Sequence, residues 1–190
     1  MTCSSCGRTV VSPQRVNYGS KESGYDVLCD KCYNLESAKS SGVENFQHHD
    51  FEPVRLVDCA GEAHEFHFRT RMFGTGVSIN AFEVLNGQAG YRFQVIGDPA
   101  EDQMVLIGRL ISKIRRALSV KHLKDTEFGL RIENDLPVRG RIGWDPDEDG
   151  SIPLVVIDGR EISWDEFGRM LMTFEGWQFK LELIDPSDEA

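Results

Sequence analysis

Apolar residues recur along this chain with two periods, and the change from one to the other marks its elements. Period two dominates beyond residue 53. Val54-Arg55-Leu56-Val57 and His64-Glu65-Phe66-His67-Phe68-Arg69 alternate around Gly61 and predict a hairpin. Ile79 to Leu85 and Tyr91 to Ile96 predict a second, turned by Asn86-Gly87-Gln88-Ala89-Gly90, with Tyr91, Phe93 and Val95 on one face. Phe128 to Ile132, Val138 to Trp144 and the apolar run Leu154 to Ile157 read as further strands. Trp177-Gln178-Phe179-Lys180-Leu181-Glu182-Leu183 alternates as a final strand, before a polar tail from Ile184 to Ala190 that is expected to fray. Helical spacing takes over twice. Ile107, Leu110, Ile111, Ile114 and Leu118 form one stripe of a helix that Asp98-Pro99 is expected to open, with Asp98 as N-cap. Ser163 and Glu166 make a capping-box pattern for a second helix, whose apolar face is Phe167, Met170, Leu171 and Phe174. Residues 53–190 are therefore expected to form an α+β domain with an antiparallel or mixed sheet and about two helices.

Residues 1–42 follow a different logic. Val10-Val11, Val16-Asn17-Tyr18 and Tyr25-Asp26-Val27-Leu28 predict short strands, with turns at Ser12-Pro13 and at Gly19 to Gly24. Cys32, Tyr33, Leu35, Glu36 and Ala38 predict a helix that stops at Ser40-Ser41-Gly42. This stretch is poor in large apolar residues. What it has instead is Cys3-Ser4-Ser5-Cys6-Gly7, answered by Cys29-Asp30-Lys31-Cys32. Each Cys-x-x-Cys brings two sulfurs within reach of one ion, and Gly7 permits the sharp turn after the first pair. A redox dithiol needs only one such pair, at a strand-to-helix junction in a βαβ setting. Two pairs at this separation favour metal. Cys3, Cys6, Cys29 and Cys32 leave no open coordination position, so a single structural Zn²⁺ is expected, on which the fold of the module depends.

A knuckle, a hairpin and a helix carrying the second pair resemble a treble-clef or zinc-ribbon module. The resemblance rests on Cys3, Cys6, Gly7, Cys29 and Cys32 and implies metal binding, little more. Residues 53–190 are similar to uncharacterised bacterial domains of unknown function joined to zinc modules, which implies no activity. The expected organisation is a zinc module at 1–42, a linker at 43–52 and the α+β domain at 53–190.

The linker carries His48-His49-Asp50, the one group here suited to acid–base or hydrolytic chemistry. Nucleases that combine paired cysteines with a histidine motif hold their histidines between the pairs, and Gly7 to Leu28 contains none. His64-Glu65-Phe66-His67 is one residue short of a zinc-protease motif. On a strand its two histidines point to opposite faces and are expected at the solvent or at a sheet edge. Cys59 is expected to be an unpaired thiol. Asp145-Pro146-Asp147-Glu148-Asp149-Gly150-Ser151-Ile152 matches the front of a calcium loop, but Val156 stands where the bidentate Glu belongs. Strand-like flanks make 145–152 an acidic hairpin turn instead.

Charge narrows the partners. The formal net charge is −10, which disfavours non-specific nucleic-acid and anionic-membrane binding. It is uneven: nine Lys/Arg face four Asp/Glu between Arg109 and Arg141, whereas thirteen Asp/Glu face three Lys/Arg from Asp145 onward. Arg115, Arg116, Arg131, Arg139 and Arg141 form the candidate anion patch. No apolar run is long enough to span a bilayer, and the N-terminus shows no signal segment, so a cytoplasmic protein with reduced thiols is expected. No nucleophile elbow, phosphate loop or deaminase signature is present. The expectation is a zinc-binding, non-enzymatic adaptor that meets other proteins. Nucleic-acid binding through the module and the 109–141 region is the alternative, and a hydrolase built on His48, His49 and Asp50 a further one.

Overall fold

A computed structural model describes residues 1–10, 15–20, 24–85, 88–133, 137–145 and 148–185. Val11, the turn at Ser12-Pro13, the tip at Lys21-Glu22-Ser23, the turn residues Asn86-Gly87 and the loop residues Pro146-Asp147 lie outside them, as do residues 186–190. The chain forms two compact units. One comprises residues 1–52, 68–81 and 94–111, the other residues 53–67, 82–93 and 112–190.

The first unit begins with the expected hairpin, β1 (Arg15–Ser20) antiparallel to β2 (Gly24–Cys29). Helix α1 (Asp30–Ser40) follows without a connecting residue. It stops where the sequence indicates: Gly42 takes φ +70°, and the Val43 N–H donates to the Ala38 carbonyl at 2.9 Å, which closes the last turn. Val10, Leu28, Cys3 and Cys29 are buried together, with Tyr18, Cys32 and Tyr33 packed around them. Two aliphatic side chains are too little apolar burial to order some 40 residues.

Further along come β3 (Val54–Val57), β4 (Ala63–Phe73), β5 (Gly76–Leu85) and β6 (Gln88–Gly97), which form one sheet in that order, with β3 antiparallel to β4. Strands β4, β5 and β6 and helix α2 (Gln103–Leu118) run through both units. The α2 stripe is buried as its spacing predicts, with Leu106, Leu110 and Ile114 fully enclosed. Its start is not where the sequence suggests. Asp98 closes a tight turn of its own, accepting the Ala100 N–H on Oδ1 at 2.8 Å and the Glu101 N–H on its carbonyl at 3.0 Å. Asp102 caps the helix instead, accepting the Met104 N–H at 2.8 Å. Two aspartates four residues apart both suit a cap, and local sequence does not choose between them.

The second unit holds the remaining strands. β7 (Leu123–Thr126) and β8 (Gly129–Ile132) make a hairpin, of which only β8 is legible in the sequence. β9 (Arg141–Trp144), β10 (Pro153–Ile157) and β11 (Arg160–Ser163) form an antiparallel sheet in the order β11-β10-β9. Trp144 stands opposite Pro153 in the β9–β10 pair, so the flanks of the acidic stretch are strands. Asp158 and Gly159 turn β10 into β11 with φ +51° and +74°, the left-handed pair that a two-residue hairpin requires. Helix α3 (Trp164–Leu171) is capped by Ser163, whose Oγ accepts the Glu166 N–H at 3.2 Å. It lies on β10 and β11, where its own Met170 is buried with Val155, Ile157 and Ile162. The predicted final strand is not formed. Residues 177–185 carry no helix or strand, and Phe179 is 90% exposed. Alternation marks a segment able to pair, but pairing needs a neighbour.

Among the described residues the pairs β1–β2, β3–β4, β7–β8, β9–β10 and β10–β11 are antiparallel and α1 to α3 are α-helices, in keeping with an α+β fold.

Candidate metal centre and a buried ion network

The first Cys-x-x-Cys is shaped by its own backbone. The Gly7 N–H donates to the Cys3 carbonyl and the Cys3 N–H to the Arg8 carbonyl, both at 2.9 Å, and Gly7 takes φ +70° to close the turn. The Ser4 N–H, donating to the Val27 carbonyl at 2.8 Å, ties this knuckle to β2. The second pair straddles the start of α1. Cys29 is the extended N-cap residue, yet its side chain makes no capping bond, so its sulfur is left to the cluster. Cys32 comes one turn later on the same side.

The four Sγ atoms of Cys3, Cys6, Cys29 and Cys32 lie within 4.8 Å of one another, and Cys6 and Cys29 are 3.9 Å apart. A tetrahedral ion with Zn–S bonds of about 2.3 Å would separate its sulfurs by about 3.8 Å. The donor set fits such an ion in identity, number and spacing. Burial raises the Cys3 thiol, but N–H groups of Cys6, Cys29 and Ser5 overcome it and hold Cys3 down to about 6. The Cys29 N–H donates to that sulfur at 3.3 Å. Burial pushes Cys32 up to about 12 and raises Cys29 as well; the sulfurs of Cys6 and Cys3 add to both, while Cys32 lowers Cys29. One thiolate is therefore stabilised by backbone donors while its neighbours resist ionising beside it. A divalent cation removes that resistance and releases the protons.

Helix α1 is fastened to β4 within the first unit. Arg69 grips the Asp30 carboxylate with Nε at 3.0 Å and Nη2 at 2.9 Å, and Arg71 meets the same carboxylate at 3.2 Å while lying over the Tyr33 ring. Asn34, fully buried, donates to the Thr70 carbonyl at 2.8 Å and accepts the Met72 N–H at 2.9 Å, as an added strand residue would. Its amide also reaches His48 Nδ1 at 3.0 Å, and His48 Nε2 reaches Asp50 Oδ1 at 3.0 Å. Because Asn34 Oδ1 is taken by an N–H, Nδ2 is the donor to His48, and the imidazole proton sits on Nε2. His48 is thus a buried link between α1 and the 43–52 segment. His49 stacks on Phe51 instead, at 6.4 Å between centroids. These are the contacts of a clamp, and they do not turn two histidines and an aspartate toward one reacting atom.

The residue the sequence reading misplaces is His64. It is buried, not solvent-facing, and sits between two carboxylates of the second unit. Glu83 Oε1 lies 2.7 Å from Nδ1 and Asp58 Oδ2 lies 3.3 Å from Nε2. A carboxylate only accepts, so both bonds form together only on the doubly protonated ring. Asp58 Oδ2 also meets Lys121 Nζ at 2.7 Å, while Oδ1 accepts the N–H groups of Ala60 and Glu62. Burial raises the Asp58 carboxyl, but Lys121, the Glu62 N–H, His64 and the Ala60 N–H outweigh it and hold it well below the usual carboxylate range. Glu83 Oε2 takes the Tyr91 N–H at 3.2 Å. Ligand atoms of Asp58, Glu62 and His64 come within 4.8 Å of each other, as a metal site would need. The Lys121 ammonium, however, already holds the oxygen an ion would use. Only the fourfold convergence of β4, β5, α2's end and the 58–62 turn creates this network, and no local spacing announces it. His67 faces the other way, 3.2 Å from Glu65 and stacked on Phe82. Cys59 is an exposed free thiol, as expected.

The five candidate arginines are divided. Arg115 borders a cleft of about 430 Å³ with Leu56, Val57 and Cys59. Arg131 borders another of about 370 Å³ with Lys124 and Thr173, and lies over the Phe128 ring. Arg116 and Arg139 are exposed, and Arg141 is half-buried on β9.

Three family models match this chain, each described as a domain of unknown function: DUF7685 at residues 2–44, DUF7686 at 47–119 and DUF7713 at 122–188. No curated protein matches, and no solved structure does. Among the described residues, no helix is long and apolar enough to cross a membrane.

Proposed function

We propose that Cys3, Cys6, Cys29 and Cys32 hold one structural Zn²⁺ in a treble-clef or zinc-ribbon module at residues 1–42, and that the chain works as a non-enzymatic adaptor for other proteins. One observation carries the metal reading: two separate segments bring four sulfurs within 4.8 Å of one another, close enough to share one ion. All four positions are thiols, which leaves the ion no site for substrate. The adaptor role is supported by what surrounds the module. Tyr25 and Leu35 are exposed on a small scaffold whose helix α1 is fastened to β4 by Asp30 and Asn34. Thiols kept reduced suit the cytoplasm.

Metal analysis of the full chain, purified without added metal, is expected to return one zinc per chain, and none in the Cys29→Ser variant. Iron with visible absorbance, or an empty protein that fails to take up zinc, would overturn the reading. The nucleic-acid alternative predicts retention on a filter at low salt. With a net charge of −10, none is expected.

A further inference from the structure

The sheet β11-β10-β9 has a core face that outruns its cover. Ile162, Val155 and Ile142 stand opposite one another across the three strands. Their exposures are 0%, 8% and 62%, because α3 lies over β11 and β10 while Ile142 on β9 is left open. Trp144, two residues on, is 68% exposed on the same face. β9 is the outer strand of its sheet. The same unit ends in 177–183, whose apolar residues Trp177, Phe179, Leu181 and Leu183 alternate with Gln178, Lys180 and Glu182. Leu181 and Leu183 are both 73% exposed. One chain thus carries a strand without a sheet and a sheet edge without its next strand, and within the molecule the two are not joined.

We propose that residues 177–183 of one molecule add as an antiparallel strand to the outer side of β9 in a second copy, and that the exchange is reciprocal, giving a twofold dimer. The register follows from side-chain chemistry. Ile142 opposite Leu181 sets Trp144 opposite Phe179 and Arg141 opposite Glu182, so the apolar row gains its fourth member and the opposite face gains an ion pair. A slip of two residues sets Arg141 against Lys180 in one direction and against Ile184 in the other, and either loses the ion pair. A slip of one would turn the apolar side chains to the wrong face. The Nε of Arg141 is buried without a hydrogen-bond partner, and the arriving Glu182 supplies an acceptor. Pairing also covers an apolar edge that would otherwise invite less specific association. Reciprocity closes the assembly at two chains.

Sedimentation equilibrium of the full chain tests this. The expected mass is twice 21.5 kDa in the micromolar range. Phe179→Asp, which spoils the donor, and Ile142→Asp, which spoils the acceptor, each lie at exposed positions. Both are expected to keep the wild-type circular dichroism and to halve the mass. Mixed together they restore a dimer, since one still has a good strand and the other a good edge. A chain truncated after Gly176 keeps the edge and loses the strand, so it is expected to be monomeric alone, to associate with Ile142→Asp and not to associate with Phe179→Asp. A wild-type monomer throughout that range, whether from a free tail or from one folded onto its own β9, overturns the proposal. So does a dimer that survives Phe179→Asp, or a mixture that stays monomeric.

Discussion

Two clusters of ligand-type residues in this molecule differ in composition and in charge balance. The cysteine cluster gathers four thiols and no cation, and burial together with the neighbouring sulfurs raises Cys32. The Asp58 cluster gathers Asp58 and Glu83 with His64 and Lys121, and each charge finds its opposite among its neighbours. The first is incomplete without something from outside. The second is complete, and its lysine stands where a metal would. A cluster of ligand-type residues thus signals a binding site when its electrostatics are unmet, and a structural strut when they are already satisfied.

The contrast breaks most plainly on metal removal. Chelation, or Cys29→Ser, is expected to abolish amide protection across residues 1–44 while β10 and β11 keep theirs. Structural zinc in such modules supplies about 10–16 kcal/mol, and Val10 and Leu28 cannot replace it. Exchange measured by mass spectrometry checks this. Protection that survived would show the Asp30 and Asn34 contacts with β4 to be sufficient.

The next effect should come from the other cluster. His64→Ala removes the ring that bridges Glu83 and Asp58, leaving Glu83 Oε1 buried without that partner, and should cost on the order of 3–5 kcal/mol by urea denaturation. Replacing His64 and Glu83 together with leucines should cost far less, which a catalytic or metal role for His64 would not predict. The acid limb of stability carries the same signature. Because the folded Asp58 carboxyl lies below its unfolded value, its contribution is complete above about pH 4–5 and is lost as pH falls through the carboxylate range. Asp58→Asn should therefore lower stability at pH 7 and flatten its decline toward pH 3.

Smaller effects sharpen the picture of how the module is held. Asn34→Ala strands the Thr70 carbonyl and the Met72 N–H and should cost about 1–3 kcal/mol, with faster exchange at Met72. Ser163→Ala, which removes only the cap of α3, should cost about 1 kcal/mol and leave both clusters untouched. It serves as the reference for an ordinary local loss.

Some of these features could be read from residue order and some could not. The β1–β2 hairpin, the stop of α1 at Gly42, the α2 stripe and the Ser163 cap all arise from interactions between residues close in sequence, which periodicity and capping rules describe. The start of α2 was obscured because Asp98 and Asp102 are equally good caps. The alternation of 177–183 was read correctly as a pattern, but a strand is a relation between two segments. His64 carried no signal at all, since its carboxylate partners Asp58 and Glu83 lie 6 and 19 positions away by residue number and meet it only through the fold.

Residue order alone determined the cysteine cluster as a candidate metal site, because a Cys-x-x-Cys pair is a local chelate. It also determined the α+β class, through the change of period along the chain. Only the tertiary structure decided that His48 serves a clamp, that His64 and Lys121 neutralise a buried pair of carboxylates, and that β9 and the C-terminal segment are both left open. Those outcomes depend on which distant segments meet, and desolvation makes an unmatched charge or an uncovered apolar row costly only after they have met.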